Sequence, residues 1–125
     1  MGGVEIVKEA RRMTTSPAAS IRQNRDGINI HERDHFAGMY AAGKLAAEIL
    51  DEVGPLVKPG VTTAMLDDFI RERIEAAGAI SATIGYKGYQ HASCISINHV
   101  VCHGIPGGKV LRDGDILNID VTVIV

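Results

Sequence analysis

At Ile80 the spacing of apolar residues changes from every three or four positions to every second one. That change of period decides which elements the chain can form. Ahead of it, from Ile30 on, Met39, Ala42, Ala46, Ile49, Leu50 and Val53 recur at helical spacing, which predicts one helix running to Val53 and stopped by Gly54 and Pro55. A second helix is expected after "KPG", capped by Thr62, with Leu66, Phe69, Ile70, Ile74 and Ala77 as its buried stripe and Gly78 as its stop. From Ile80 the stretches "SCISIN", "VVCHGI" and "ILNIDVTVIV" read as strands, separated by the turn sequences "IPGG" and "RDGD". Two helices followed by antiparallel strands predict an α+β fold.

The first thirty residues differ in character. "TTSPAASIRQNRDG" is rich in Ser, Thr, Pro and polar residues, so residues 1–30 read as an N-terminal arm or linker and 31–125 as the folded part. A domain of this length buries roughly two thirds of the surface its unfolded chain exposes, enough for a core. With 46% hydrophobic and 22% charged residues and a formal charge of −2, the chain has neither the composition of a disordered segment nor a nucleic-acid surface. No apolar run is long enough to span a bilayer, and Glu5, Lys8 and Glu9 interrupt the start where a signal peptide needs an apolar stretch. A cytoplasmic protein without membrane or nucleic-acid partners is expected. Cys94 and Cys102 form no disulfide framework and read as ordinary small apolar residues.

The last apolar stretch places Asn118, Asp120 and Thr122 on one face of a strand and Leu117, Ile119, Val121, Val123 and Val125 on the other. It ends without a turn, and a bare apolar strand is a liability that proteins normally manage. A chain interrupted inside a structural unit is therefore expected, with a continuation or a second polypeptide supplying the rest.

Three constellations carry possible chemistry. "HERDH", His31 to His35, spells the H-E-x-x-H pattern of zinc peptidases. Its third ligand is missing: Glu52 on the same helix lies roughly 25 Å from His35 at ~1.5 Å per residue, so a helix start with acids near its positive end is the better reading. Cys102 and His103 are adjacent, and on a strand adjacent side chains point to opposite faces, which argues against a thiol nucleophile with its base. His103 and Asp120 form the third, since an acid inside an apolar strand is costly unless it is paired, solvated or bound to metal.

The run "GYKGYQHASCISINHVVCHGIPGGKVLRDGDILNIDVTVIV" closely resembles the central segment of type I methionine aminopeptidases, and "AAGKLAAEIL" with "VKPGVTTAMLDDF" resembles the two helices before it. The resemblance implies the N-terminal half of a pita-bread fold, two similar α+β halves clasping two divalent metal ions (Co, Mn, Fe or Zn). It implies removal of the initiator methionine from nascent chains that begin with Met and a small residue. His103 is then similar to the family histidine that contacts the substrate at the scissile amide, and Asp120 to the first aspartate ligand of one metal. The methionine pocket maps onto Thr83, Tyr86, Tyr89 and Cys94, and Asn98 with the backbone of Val100 falls where some members hold a monovalent cation. His99 stands in place of a family acid, and Gln90 with His91 in place of a proline-containing pair. The second aspartate, the histidine and the two glutamates of the family site lie beyond Val125, so this chain alone is expected to be inactive. The alternative is a non-catalytic pita-bread homologue that binds a peptide or protein partner in the same pocket.

Overall fold

A computed structural model describes residues 21–125, which fall into two compact units divided between His31 and Glu32. Most of the segment read as an arm, residues 1–20, lies outside the described residues. In the first unit, residues 22–30 close a tight hairpin. Asn24 accepts through Oδ1 from the backbone of Asp26 and Ile28, both at 2.9 Å, while Gln23 bridges to Asn29. An asparagine that folds its side chain back on the following amides makes such a turn.

The second unit begins with α1 (Arg33–Val53), followed by a single 3-10 turn (Gly54–Leu56) and α2 (Thr63–Ala76). "HERDH" is the start of α1. Glu32 is the N-cap, and Nδ1 of His35 accepts from the Glu32 backbone N–H at 2.9 Å, so this histidine caps a helix. Thr62 caps α2 by accepting from Met65 N at 3.2 Å. At the other end, Gly78 takes φ +69 while its N–H reaches Glu75 O and that of Ala79 reaches Ile74 O, a Schellman closure that needs a left-handed residue.

Ile49 and Val53 of α1 pack with Leu66, Ile70 and Ile74 of α2, and Arg73 of α2 binds Glu52 of α1 across the surface. That bond holds the Glu52 carboxyl below its ordinary range. The expected apolar face of α1 is only partly buried: Met39 is 71% exposed and Leu50 is exposed as well. A helix of 21 residues is about 31 Å long against about 21 Å for the 14 of α2. The N-terminal part of α1 therefore overhangs its partner, and Leu50 lies about 100° around the helix from Ile49. Ala77, expected in the α2 stripe, is the exposed C-cap.

Four strands follow: β1 (Ile80–Ser81), β2 (Ser93–Ile97), β3 (Leu117–Val121) and β4 (Val123–Ile124). They pair antiparallel as β1 with β4 and β2 with β3, and in the second pair Cys94 stands opposite Asp120. "ILNIDVTVIV" thus splits at Thr122 between two partners. Leu117, Ile119, Val121 and Val123 turn toward the helices, as their alternation predicts, and Asn118, Asp120 and Thr122 are exposed.

"VVCHGI" is not a strand. Asn98 and His103 have φ of +53 and +55, which no strand accommodates, so the chain leaves β2 and folds back beside it. Gly104 alone meets the free edge: its carbonyl accepts from Ile95 N at 2.8 Å, and its N–H donates to Ser96 Oγ at 3.0 Å. The "IPGG" segment then wraps the start of α2, where carbonyls of Gly107 and Lys109 accept from Ala64 N and Thr63 N. These amides have no partner inside the helix, so a turn sequence here completes a helix.

A methyl group on residue 104 would lie 2.1 Å from Ile95 O, whereas one on residue 108 would meet nothing within 4 Å. Gly104→Ala is expected to cost about 3 kcal/mol in urea unfolding, and Gly108→Ala to stay within about 0.5 kcal/mol.

Candidate functional site

The outer face of the β2–β3 pair is the floor of a cleft of about 640 Å³. Cys94 comes from β2 and Asp120 from β3. Ala82, Thr83, Tyr86, Lys87, Gly88 and Tyr89 come from the loop between β1 and β2, His103 and Ile105 from the loop after β2, and Thr122 from the break before β4. The Ala82 N–H donates to Thr122 O at 3.0 Å and holds the first of these loops beside β3. The six residues assigned to methionine, substrate and metal from the motifs, Thr83, Tyr86, Tyr89, Cys94, His103 and Asp120, all line this one cleft.

Most of the walls are internally satisfied. Thr83 Oγ1 donates to His91 O at 2.7 Å and Tyr89 Oη to Ser93 O at 2.7 Å, so neither hydroxyl requires a ligand. Burial, reinforced by the neighbouring Cys94 thiol, pushes the Tyr89 phenol well above its ordinary pKa, and it remains a neutral donor. Its ring also meets the His91 ring edge-on at 5.5 Å.

His103 reaches the cleft by a different route from the one its sequence suggests. It does not lie on a strand beside Asp120, because Asp120 has Cys94 as its neighbour. Its left-handed backbone at the end of an irregular loop turns it to the cleft, which also removes the strand-alternation argument about Cys102 and His103. Cys102 is exposed and is not part of the cleft lining.

Asp120 is exposed, and among the described residues no hydrogen bond or ion pair engages its carboxylate. A hard oxygen donor free of protein partners suits a divalent cation. Among the described residues no three His, Cys, Asp or Glu side chains converge as a metal site.

Asn98 and Val100 lie apart from the cleft, on a second hollow of about 320 Å³ lined also by His99 and Lys109. The Asn98 amide is engaged: Nδ2 donates to Asp115 Oδ1 at 2.8 Å and Oδ1 accepts from Ile116 N at 3.1 Å. This clamp ties the "RDGD" turn to the end of β2.

Residues 37–125 match metallopeptidase family M24. The chain belongs to that family. Over 97 residues it is 56% identical to the methionine aminopeptidase of Rickettsia prowazekii (strain Madrid E), covering 78% of this chain and 38% of that protein. Over 99 residues it is 52% identical to the methionine aminopeptidase of Escherichia coli (strain K12), again covering 78% and 38%. The crystal structure of the Rickettsia prowazekii enzyme superimposes with a TM-score of 0.77 at 55% identity, over 78% of this chain and 40% of that one. That of the Thermotoga maritima methionine aminopeptidase gives 0.74 at 35%, over 78% and 39%. The fold is therefore the N-terminal half of the pita-bread one, as the resemblance implies, and the chain spans about two fifths of the length of the relatives it matches. No helix of the described residues is long and apolar enough to cross a membrane.

Thr122 lines the cleft beside Asp120, on the polar face that the alternation predicts, whereas Lys87 and Ile105 line it without a motif to mark them. Lys87 carried a weak signal as the single charge within "GYKGY".

The Asn98 amide, with the Arg112 backbone N–H, holds the Asp115 carboxyl below its ordinary pKa. A depressed folded-state pKa adds stability that is present above the unfolded value, about 4, and lost as pH falls through the depressed one. Asn98→Ala should therefore raise the Asp115 pKa in an NMR titration. The gap in urea midpoint between the native protein and the variant should be wider at pH 7 than at pH 3.

Proposed function

We propose that this chain supplies the first half of a metal-dependent methionine aminopeptidase site. In the complete protein, that site removes the initiator methionine from cytoplasmic nascent chains beginning with Met and a small residue. The observation that carries the reading is the convergence of Thr83, Tyr86, Tyr89, Cys94, His103 and Asp120, drawn from four separate stretches of chain, on one cleft. The names of the relatives point the same way.

In this reading the methionine side chain lies against the Tyr86 and Tyr89 rings and the Cys94 sulfur, because an apolar, polarizable thioether gains most from aromatic and sulfur neighbours. Tyr89 and Thr83 spend their hydroxyls on the backbone, so the pocket presents little unsatisfied polarity to an apolar ligand. His103 donates an N–H to the carbonyl oxygen or to the departing nitrogen of the scissile amide. Asp120 holds a metal ion from one side, and a continuation of the chain or a second polypeptide provides the other ligands. When bound, two divalent ions, cobalt, manganese, iron or zinc, supply Lewis acidity and an activated water. Asn98 and the backbone of Val100 hold a monovalent cation, with the Asn98 side chain itself committed to Asp115 and Ile116.

The test is release of methionine from a Met-Gly-headed peptide with added divalent metal. The 125-residue chain alone is expected to give no turnover, and the protein completed by its remaining ligands to be active. In the completed protein, His103→Ala should lower kcat about 10²- to 10³-fold, and Asp120→Ala should remove metal binding as well as turnover. Peptide binding without turnover by the completed protein would favour the non-catalytic homologue instead.

A further inference from the structure

Lys87 is the charged cleft residue to which neither the motifs nor the proposed reaction gives a part. Among the described residues that line the cleft, Lys87 and Asp120 carry the only fixed charges, and they are of opposite sign. No carboxylate pairs with Lys87 among the described residues; its ammonium lies 5.5 Å from the centre of the Tyr86 ring. The backbone is unusual too. Lys87 has φ 48 and ψ 34 inside the turn Tyr86–Gly88, a left-handed conformation that costs a β-carbon-bearing residue energy. Such strain persists where surrounding structure enforces it, and here the Gly85 N–H bond to Tyr89 O at 2.7 Å closes the loop around it.

Beside the Tyr86 ring, Lys87 is a cation on the cleft lining without a carboxylate partner among the described residues. A substrate's own ammonium would be repelled there, and a negatively charged group is the one that gains most within its reach. In the aminopeptidase reading the first residue is methionine and the second is small, so an acidic side chain that meets Lys87 comes from a later residue, after the amide being cut.

We propose that Lys87 is a specificity-determining residue that favours substrates carrying an acidic side chain shortly after the scissile bond. The inference rests on the aminopeptidase reading of the cleft and deepens it. The interaction is solvent-accessible, so its expected size is that of an exposed ion pair, a preference of about two- to fivefold. Salt should screen it, as the Debye length falls to about 3 Å at 1 M.

The experiment compares C-terminally amidated Met-Gly-Glu, Met-Gly-Gln and Met-Gly-Lys peptides on the completed, metal-loaded protein. Amidation removes the terminal carboxylate, and the glutamine peptide serves as the neutral reference. The kcat/KM values are expected to fall in the order Glu, Gln, Lys at low salt and to converge at 1 M salt. Lys87→Gln should flatten the order, Lys87→Glu should reverse it, and Lys87→Arg should keep it. Equilibrium binding of the same peptides with a reduced, uncleavable first amide is measured alongside. Cleavage with no charge preference, or a preference unchanged in Lys87→Glu, overturns the role of Lys87 and leaves the aminopeptidase standing. Charge-selective binding without cleavage supports Lys87 and overturns the aminopeptidase, and neither binding nor cleavage overturns both.

Discussion

Asp67 is 1% exposed, yet it sits on α2 among Leu66, Ile70 and Ile74. Burying a charge there is tolerable because its oxygens are fully used: Ser93 donates from its backbone N–H at 2.8 Å and its hydroxyl at 2.6 Å, and the Ala92 N–H donates at 3.3 Å. His91 Nδ1 lies at 3.3 Å from the same carboxylate, and Arg71, one helical turn along, turns its guanidinium to Gln90 O at 2.9 Å. These bonds fix where β2 begins. Once Ser93 is pinned, the antiparallel register places Cys94 opposite Asp120, and a slip of one residue would send Asp120 to the wrong face. The cleft floor therefore depends on a helix residue that does not line the cleft.

The same anchor suspends the loop above. Tyr89 reaches back to Ser93 O, Thr83 reaches His91 O, and both acceptors lie in the stretch that Asp67 and Arg71 secure. The walls of the cleft are thus braced against its floor through the 91–93 backbone. A rigid wall suits recognition of a flexible side chain such as methionine, since fewer rotamers of the protein have to be ordered on binding.

Much of this was legible in the sequence, and the parts that were not have physical reasons. Helix caps and stops are local, so Thr62 and Gly78 could be assigned from their neighbours alone. The alternation in "ILNIDVTVIV" gave the faces of β3 because a two-residue period survives whatever the strand pairs with. "VVCHGI" failed because its apolar residues mimic a strand: Val101 is 90% exposed, and the conformation is set by Gly104 meeting β2 and by the start of α2 demanding acceptors, both long-range. Asp67 could have been found, since it lies four residues after Thr63 and three before Ile70, within a buried stripe where an acid must have partners. The Lys87 backbone had no comparable signal, because a left-handed lysine is a property of the closed loop and not of the residue.

The polar face of β3 sets a condition on whatever covers it. In water the Asp120 carboxylate is inexpensive, and its exposure beside the apolar cleft is stable as it stands. Closing that side with an apolar surface would strip the carboxylate of solvent without giving it a partner, at several kcal/mol. A cover made only of aliphatic side chains would therefore be opposed by the residue it buries. Any cover would have to bring positive charge to Asp120, as metal ions or as basic side chains. Closing this face and neutralising its charge would then be one event.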